Sequence, residues 1–130
     1  MKILIVEDDD VLLSFLTREL EARGFEVVPT HFGDGGLSLY KKDGPFELVL
    51  SDFYFIPGCE IKNGVELVNA IHGINSVQRM ALMTAHYREA REKLPAALRY
   101  LPLLRKPFKI EQVLRFLRQP VLPLCSGGKQ

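Results

Sequence analysis

Five short apolar runs, separated by amphipathic segments, constrain the fold of this chain more than any other sequence feature. The runs occupy residues 2–6, 25–28, 47–51, 80–83 and 101–104. Nearly continuous apolar runs of this length are typical of strands that are buried on both faces, as in a parallel sheet. Between them, apolar residues recur with i, i+3, i+4 spacing, which predicts helices. The alternation therefore predicts a doubly wound α/β domain.

Polar residues and glycines indicate where the first two helices begin and end. Asp9 or Asp10 can cap the first helix, and Gly24 is expected to end it. Asp34 or Gly33 is expected to open the second helix. These positions leave room for one helix between each pair of successive strands.

Length and composition narrow the class of protein. At 130 residues the chain has the size of one domain, which we place at residues 1–118, followed by a tail at residues 119–130 that we expect to be partly disordered. Lys and Arg number 17 against 16 Asp and Glu, so the net charge favours neither nucleic acid nor a membrane surface as partner. We find no secretory or membrane-spanning pattern and expect a cytoplasmic protein. Cys59 and Cys125 lack the spacing of a zinc site or a disulfide framework.

Residues that can carry chemistry follow four of the apolar runs. Glu7 and Asp8 follow the first, Asp52 the third, Thr84 the fourth and Lys106 the fifth. Ligands of open parallel sheets bind beyond the carboxyl ends of the strands, so these side chains are expected at one edge. Clustered carboxylates repel one another unless a cation neutralises them, and Mg²⁺ prefers oxygen ligands. A carboxylate there could act as a nucleophile and form an aspartyl phosphate.

Taken singly, these residues have structural explanations as well. Acids near residue 8 favour a helix N-terminus because of the helix dipole. Thr84 could be a structural hydroxyl and Lys106 a surface charge. A helix cap does not explain Asp52, since Phe53 and Tyr54 follow it. The combination favours a functional site.

Four motifs resemble the receiver family of two-component signalling, also known as the CheY-like family. They are ILIVEDD at residues 3–9, LVLSD at 48–52, MTA at 83–85 and RKPF at 105–108. The resemblance implies a flavodoxin-like (βα)5 fold with strand order 2-1-3-4-5. It also implies Asp52 as the phosphoacceptor, with Thr84 and Lys106 contacting the phosphoryl oxygens. The ligands implied for Mg²⁺, or Mn²⁺, are Glu7 acting through water, Asp8, Asp52 and the backbone carbonyl of Tyr54.

At 130 residues we expect a stand-alone module without an output domain. The family resemblance further implies a phosphoacceptor rather than a conventional enzyme, one that assists its own phosphorylation and dephosphorylation. Its donor would be a sensor histidine kinase or a phosphotransfer protein. The target would bind the face formed by the fourth helix, fifth strand and fifth helix, and a homodimer through this face is left open. Tyr54 and His86 flank the acceptor and the hydroxyl, at positions where the family adjusts the lifetime of the phosphoryl group.

Three departures from the family pattern concern how phosphorylation would change the surface that binds the target. Leu103 occupies the position where the family usually has an aromatic switch residue. The loop after Asp52 reaches its closing glycine, Gly64, about four residues late, so it could shape access or be an inert excursion. Residues 98–100 stand where the family commonly has a small Gly-Ala step. Pro95 predicts a short or broken fourth helix, because a proline inside a helix destabilises it by about 3 kcal/mol.

Other classes of function remain as alternatives. A receiver-like interaction module that phosphorylation does not switch is favoured by Leu103 and the irregular fourth helix. An aspartate-nucleophile phosphatase would have a second Asp where this chain has Tyr54. A flavin-binding module would need a phosphate-binding loop after the first strand, where the acids of this chain would repel the ligand.

Overall fold

A five-stranded parallel sheet with helices on both faces forms the core of the computed structural model, which describes residues 1–119. The strand order β2-β1-β3-β4-β5 confirms the predicted flavodoxin-like (βα)5 fold. In chain order the elements are β1 (Lys2–Val6), α1 (Asp10–Glu21), β2 (Glu26–Thr30), α2 (Gly33–Asp43), β3 (Leu48–Asp52), α3 (Gly64–Ile74), β4 (Met80–Thr84), α4 (Tyr87–Lys93), a 3-10 helix (Ala96–Leu98), β5 (Leu103–Arg105) and α5 (Ile110–Arg118).

The sheet separates two hydrophobic cores. Leu4 and Val6 of β1 pack into the core beneath α2, α3 and α4. Ile3 and Ile5 face the opposite way, into the core that α1 and α5 cover. Because side chains alternate along a strand, a strand between two helical layers needs apolar residues at every position. This explains the continuous apolar runs.

The boundaries of α1 and β2 differ in part from the sequence predictions. Asp9 is the N-cap of α1, and its carboxylate accepts hydrogen bonds from the amides of Val11 and Leu12. The helix ends at Glu21 instead of continuing to Gly24, which turns the chain with a φ of 92°. β2 runs on through Pro29, and an edge strand tolerates this proline because its free side needs no ladder hydrogen bond.

The fourth helix is short, as Pro95 predicts. α4 ends at Lys93, and Pro95 precedes the 3-10 helix. Nη1 of Arg91 donates to the carbonyl of Arg99 at 2.9 Å, which ties α4 to the chain that enters β5. Leu101 was expected in the last strand, but it is buried in the turn after the 3-10 helix.

Two further predictions concern the chain ends and the cysteines. The predicted tail lies outside the described residues except for Gln119, and the division at residue 118 stays a prediction. Within residues 1–119, none of the helices is both long enough and apolar enough to cross a bilayer. Cys59 is exposed with a free thiol, and Cys125 lies outside the described part of the chain.

Candidate functional site

Three carboxylates meet at the carboxyl edge of the sheet. Glu7 and Asp8 follow β1, and Asp52 is the last residue of the adjacent strand β3. Carboxylate oxygens of all three lie within 4.8 Å of one another. Glu7 and Asp52 are buried, whereas Asp8 is half-buried. The register that pairs Val6 with Ser51 brings these two strand ends level, so the cluster follows directly from the topology.

The ammonium of Lys106 sits among these carboxylates. Its Nζ lies 2.9 Å from Oε1 of Glu7 and 3.1 Å from Oδ1 of Asp52. Lys106 follows β5, and its backbone N–H donates to the carbonyl of Thr84 at 2.7 Å. This bond extends the parallel pairing of β4 and β5 by one residue. It places Lys106 beside the end of β4, from where its side chain reaches the carboxylates.

Burial and mutual repulsion disfavour the charged forms of the buried acids. Burial raises the pKa of Glu7 to about 7, the nearby charge of Asp52 raises it as well, and the hydrogen bond from Lys106 lowers it. Burial also raises the pKa of Asp52, against the opposing charge of Lys106. When all three carboxylates are ionised, their negative charge exceeds the positive charge of the single ammonium. A hard divalent cation would relieve this excess, and the all-oxygen donor set suits Mg²⁺.

The side chains of Thr84 and Tyr54 form hydrogen bonds with groups outside the carboxylate cluster. Thr84 is buried at the end of β4, and its hydroxyl accepts from the amide of His86 at 2.9 Å. The phenol of Tyr54 donates to Oε2 of Glu89 at 3.1 Å and accepts from Nζ of Lys93 at 3.0 Å. Tyr54 therefore connects the loop after β3 to α4, a link that sequence reasoning did not predict.

Backbone amides orient two of the clustered carboxylates. The N–H of Asp9 donates to Oε2 of Glu7 at 3.1 Å, and the N–H of Ile56 donates to Oδ2 of Asp8 at 3.2 Å. Sequence reasoning missed both donors because every non-proline residue carries an N–H and only the fold decides where it points.

Asp34 is a further residue that the sequence did not assign to the site. Its carboxylate accepts backbone hydrogen bonds from Cys59, Glu60 and Ile61 in the loop after Asp52. The one available signal was the run Gly-Asp-Gly-Gly at residues 33–36, since three glycines in the first turn of a helix are costly without a packing reason. The loop is thus docked on the first turn of α2.

Charged and aromatic groups cluster where α4 meets β5. The guanidinium of Arg105 lies 5.0 Å from the ring centre of Tyr87, and that of Arg91 lies 5.5 Å from it. Nη2 of Arg91 also donates to the phenol oxygen of Tyr87 at 3.1 Å. Leu103 is only 9% exposed and packs in the core with Leu98.

Comparisons with known proteins agree with this architecture. A family model described as the response regulator receiver domain matches residues 3–118. The response regulator receiver protein CpdR of Brucella abortus (strain 2308) is 29% identical over 123 residues, covering 93% of this chain and 97% of that protein. The transcriptional regulatory protein CpxR of Escherichia coli (strain K12) is 32% identical over 117 residues, which cover 90% of this chain but 47% of CpxR.

A solved structure resembles the whole described fold. The receiver domain from the hybrid histidine kinase CckA superimposes with a TM-score of 0.70 at 27% sequence identity. The match covers 91% of this chain and 100% of that domain.

Proposed function

This chain belongs to the response regulator receiver family, and from that membership we propose that it accepts a phosphoryl group on Asp52 in a reaction that requires Mg²⁺ or Mn²⁺. The donor we propose is a phosphohistidine on a sensor kinase or a phosphotransfer protein in the cytoplasm. The observation that carries the proposal is the convergence of Glu7, Asp8, Asp52 and Lys106 at one edge of the sheet.

The proposed metal ligands are Asp8, Asp52, the backbone carbonyl of Tyr54 and, through water, Glu7. When bound, the cation would supply positive charge to the oxygens of the transferring phosphoryl group. A carboxylate oxygen of Asp52 attacks phosphorus, the bond between phosphorus and the imidazole nitrogen breaks, and its electron pair returns to the imidazole. Attack by water on the same phosphorus would later break its bond to the Asp52 oxygen, which releases inorganic phosphate and restores the carboxylate.

Lys106 and Thr84 would stabilise the transferred group. Lys106 already contacts Oδ1 of Asp52, so a small movement would bring its ammonium to a phosphoryl oxygen. The hydroxyl of Thr84 would exchange its bond with the amide of His86 for a phosphoryl oxygen. Tyr54 and His86 are the residues we expect to affect how long the phosphoryl group persists.

Two surfaces would serve the partners of this reaction. An apolar groove beside Lys106, lined among others by Val11, Phe15 and Phe108, lies next to the acidic cluster and suits the donor. The face of α4, β5 and α5, with Tyr87 and Arg105 on it, suits a downstream protein. Size-exclusion chromatography of the phosphorylated and unphosphorylated protein tests whether a second copy of the chain also uses this face.

A second candidate function is an interaction module that phosphorylation does not switch. The burial of Leu103 favours it, because this leucine fills core space and has no polar group to exchange between buried and exposed positions. The full set of acidic residues with Lys106 favours the phosphoacceptor.

The test is phosphorylation of the protein by acetyl phosphate with Mg²⁺, followed by intact mass spectrometry. The wild type is expected to gain one phosphoryl group that hydroxylamine removes, and Asp52→Asn to gain none. Thermal unfolding of Asp52→Asn checks that the variant is folded. If the wild type binds Mg²⁺ but stays unmodified with both acetyl phosphate and a phosphohistidine donor, the interaction module is the better account.

A further inference from the structure

The loop between β3 and α3 is packed against the beginning of α2. Phe55 and Ile61 are each only 6% exposed and belong to the core beneath α2 and α3. A Cβ atom on Gly33 would lie 2.5 Å from the side chain of Ile61 and 2.6 Å from that of Phe55. Only glycine allows the loop this close to the helix, so the loop and the first turn of α2 fit one another.

The carboxylate of Asp34 holds the tip of this loop, residues 59–61, through hydrogen bonds from its backbone amides. Its Oδ2 accepts from the amide of Cys59 at 2.9 Å, and its Oδ1 accepts from that of Ile61 at 2.8 Å. The amide of Glu60 lies between them, 3.3 Å from Oδ1. Hydrogen bonds to a charged carboxylate are stronger than those between neutral groups. The N–H groups, led by that of Ile61, accordingly lower the pKa of Asp34.

Lys62 also holds the loop, because its ammonium binds two backbone carbonyls at the tip. Its Nζ donates to the carbonyl of Gly58 at 2.8 Å and to that of Cys59 at 3.0 Å, while its backbone N–H donates to Glu66 at 2.8 Å. Lys62 and Asp34 therefore both hold residues at the tip of the loop.

The opposite end of the same loop reaches the acidic cluster. The N–H of Ile56 donates to Oδ2 of Asp8 at 3.2 Å, and this bond joins residues that are 48 positions apart. A carboxylate held through one oxygen presents its other oxygen in a defined direction. Outer-shell hydrogen bonds of this kind orient metal ligands and raise metal affinity.

We propose that Asp34 is a positioning residue for the acidic cluster: by fixing residues 59–61 it holds the N–H of Ile56 where it orients Asp8 for Mg²⁺. This inference rests on the proposed function, in which Asp8 is a metal ligand. Asp34 itself touches neither the metal nor the phosphoryl group, and acts through the loop.

The experiment compares Asp34→Ala with Glu60→Ala, which removes the same charge from the exposed surface of the same loop. Calorimetric titration with Mg²⁺ is expected to give an affinity about 3- to 10-fold weaker for Asp34→Ala, less than a direct outer-shell contact would cost. The Glu60 variant is expected to match the wild type. Hydrogen exchange should show faster exchange of the Ile56 amide in Asp34→Ala alone, with the amides of α3 unchanged.

The outcomes separate this inference from the proposed function. If the wild type binds no Mg²⁺, the proposed metal site is wrong and the inference falls with it. If Asp34→Ala binds Mg²⁺ as tightly as the wild type, only the inference is overturned. Should Asp34→Ala fail to fold, Lys62→Ala loosens the same loop from its other side, and an unchanged Mg²⁺ affinity there would equally overturn the proposal.

Discussion

Nζ of Lys106 lies 3.1 Å from Oδ1 of Asp52, although β4 separates β3, which ends at Asp52, from β5, which ends one residue before Lys106. The same ammonium lies 2.9 Å from Glu7, so a single positive charge is shared by two buried carboxylates. The burial of Lys106 lowers its pKa, but the hydrogen bond to Glu7 and the charge of Asp52 outweigh this, and the net shift is upward. Lys106 therefore remains charged beside the two carboxylates.

Replacement of Lys106 by methionine is expected to slow phosphorylation by acetyl phosphate about 100-fold, because the reaction loses one stabilising cation in a water-poor site. Mg²⁺ binding is expected to persist, since the three carboxylates remain. A time course by mass spectrometry measures the rate, and a Mg²⁺ titration measures the affinity.

The matched control for this substitution is Lys109→Met, which removes a nearby positive charge from an exposed position. It is expected to phosphorylate at the wild-type rate. Equal slowing in both variants would mean that net charge, and not the contact with Asp52, governs the reaction.

Gly64→Ala is expected to lower the free energy of unfolding by about 1–3 kcal/mol, the usual cost of overpacking. A Cβ there would lie 2.2 Å from the carbonyl oxygen of Asp52, so either α3 or the end of β3 must move. Gly73→Ala in the same helix meets nothing within 4 Å and is expected to stabilise by about 0.5–1 kcal/mol, as Ala for Gly in a helix usually does. Urea unfolding of both variants measures the difference, and effects of the same sign would contradict the packing argument.

The contribution of Asp34 to stability is expected to depend on pH. Its pKa in the folded protein lies below the usual 3.8, so its ionised form is favoured by folding. Its contribution is therefore fully present at pH values above about 3.8 and is lost as the pH falls through the lower, folded-state pKa. Urea unfolding of the wild type and Asp34→Asn, between about pH 6 and pH 3, should show their difference shrinking on acidification. A difference that stays constant would show that the carboxylate charge does not hold the loop.

Most of the strands and helices can be predicted from the spacing of apolar residues, because buried parallel strands and amphipathic helices differ in this spacing. Apolar character alone does not separate a strand from a buried turn, so the pattern predicts Leu101 in β5, although this residue lies before the strand. Pro29 illustrates the reverse case, since an edge position lets β2 continue through a residue that would usually end a strand.

The cluster of Glu7, Asp8, Asp52 and Lys106 could be predicted because parallel strands deliver their carboxyl ends to one edge. Asp34 could not, since the amides it binds are 25 to 27 residues away, and by sequence it was only a candidate to open a helix. The contacts of the Tyr54 phenol with α4 could not be predicted for the same reason, because Glu89 and Lys93 are 35 and 39 positions away from it. Contacts between an irregular loop and a helix distant in sequence leave no periodic pattern.

The close fit of Gly33 against Phe55 and Ile61 makes the loop and the first turn of α2 a single transplantable unit. A designer who grafts residues 55–63 onto another scaffold of this topology must also carry over residues 33–36. Without Gly33 the graft has no space, and without Asp34 three consecutive amides lose their acceptor. The two segments are therefore expected to be exchanged between scaffolds together or not at all.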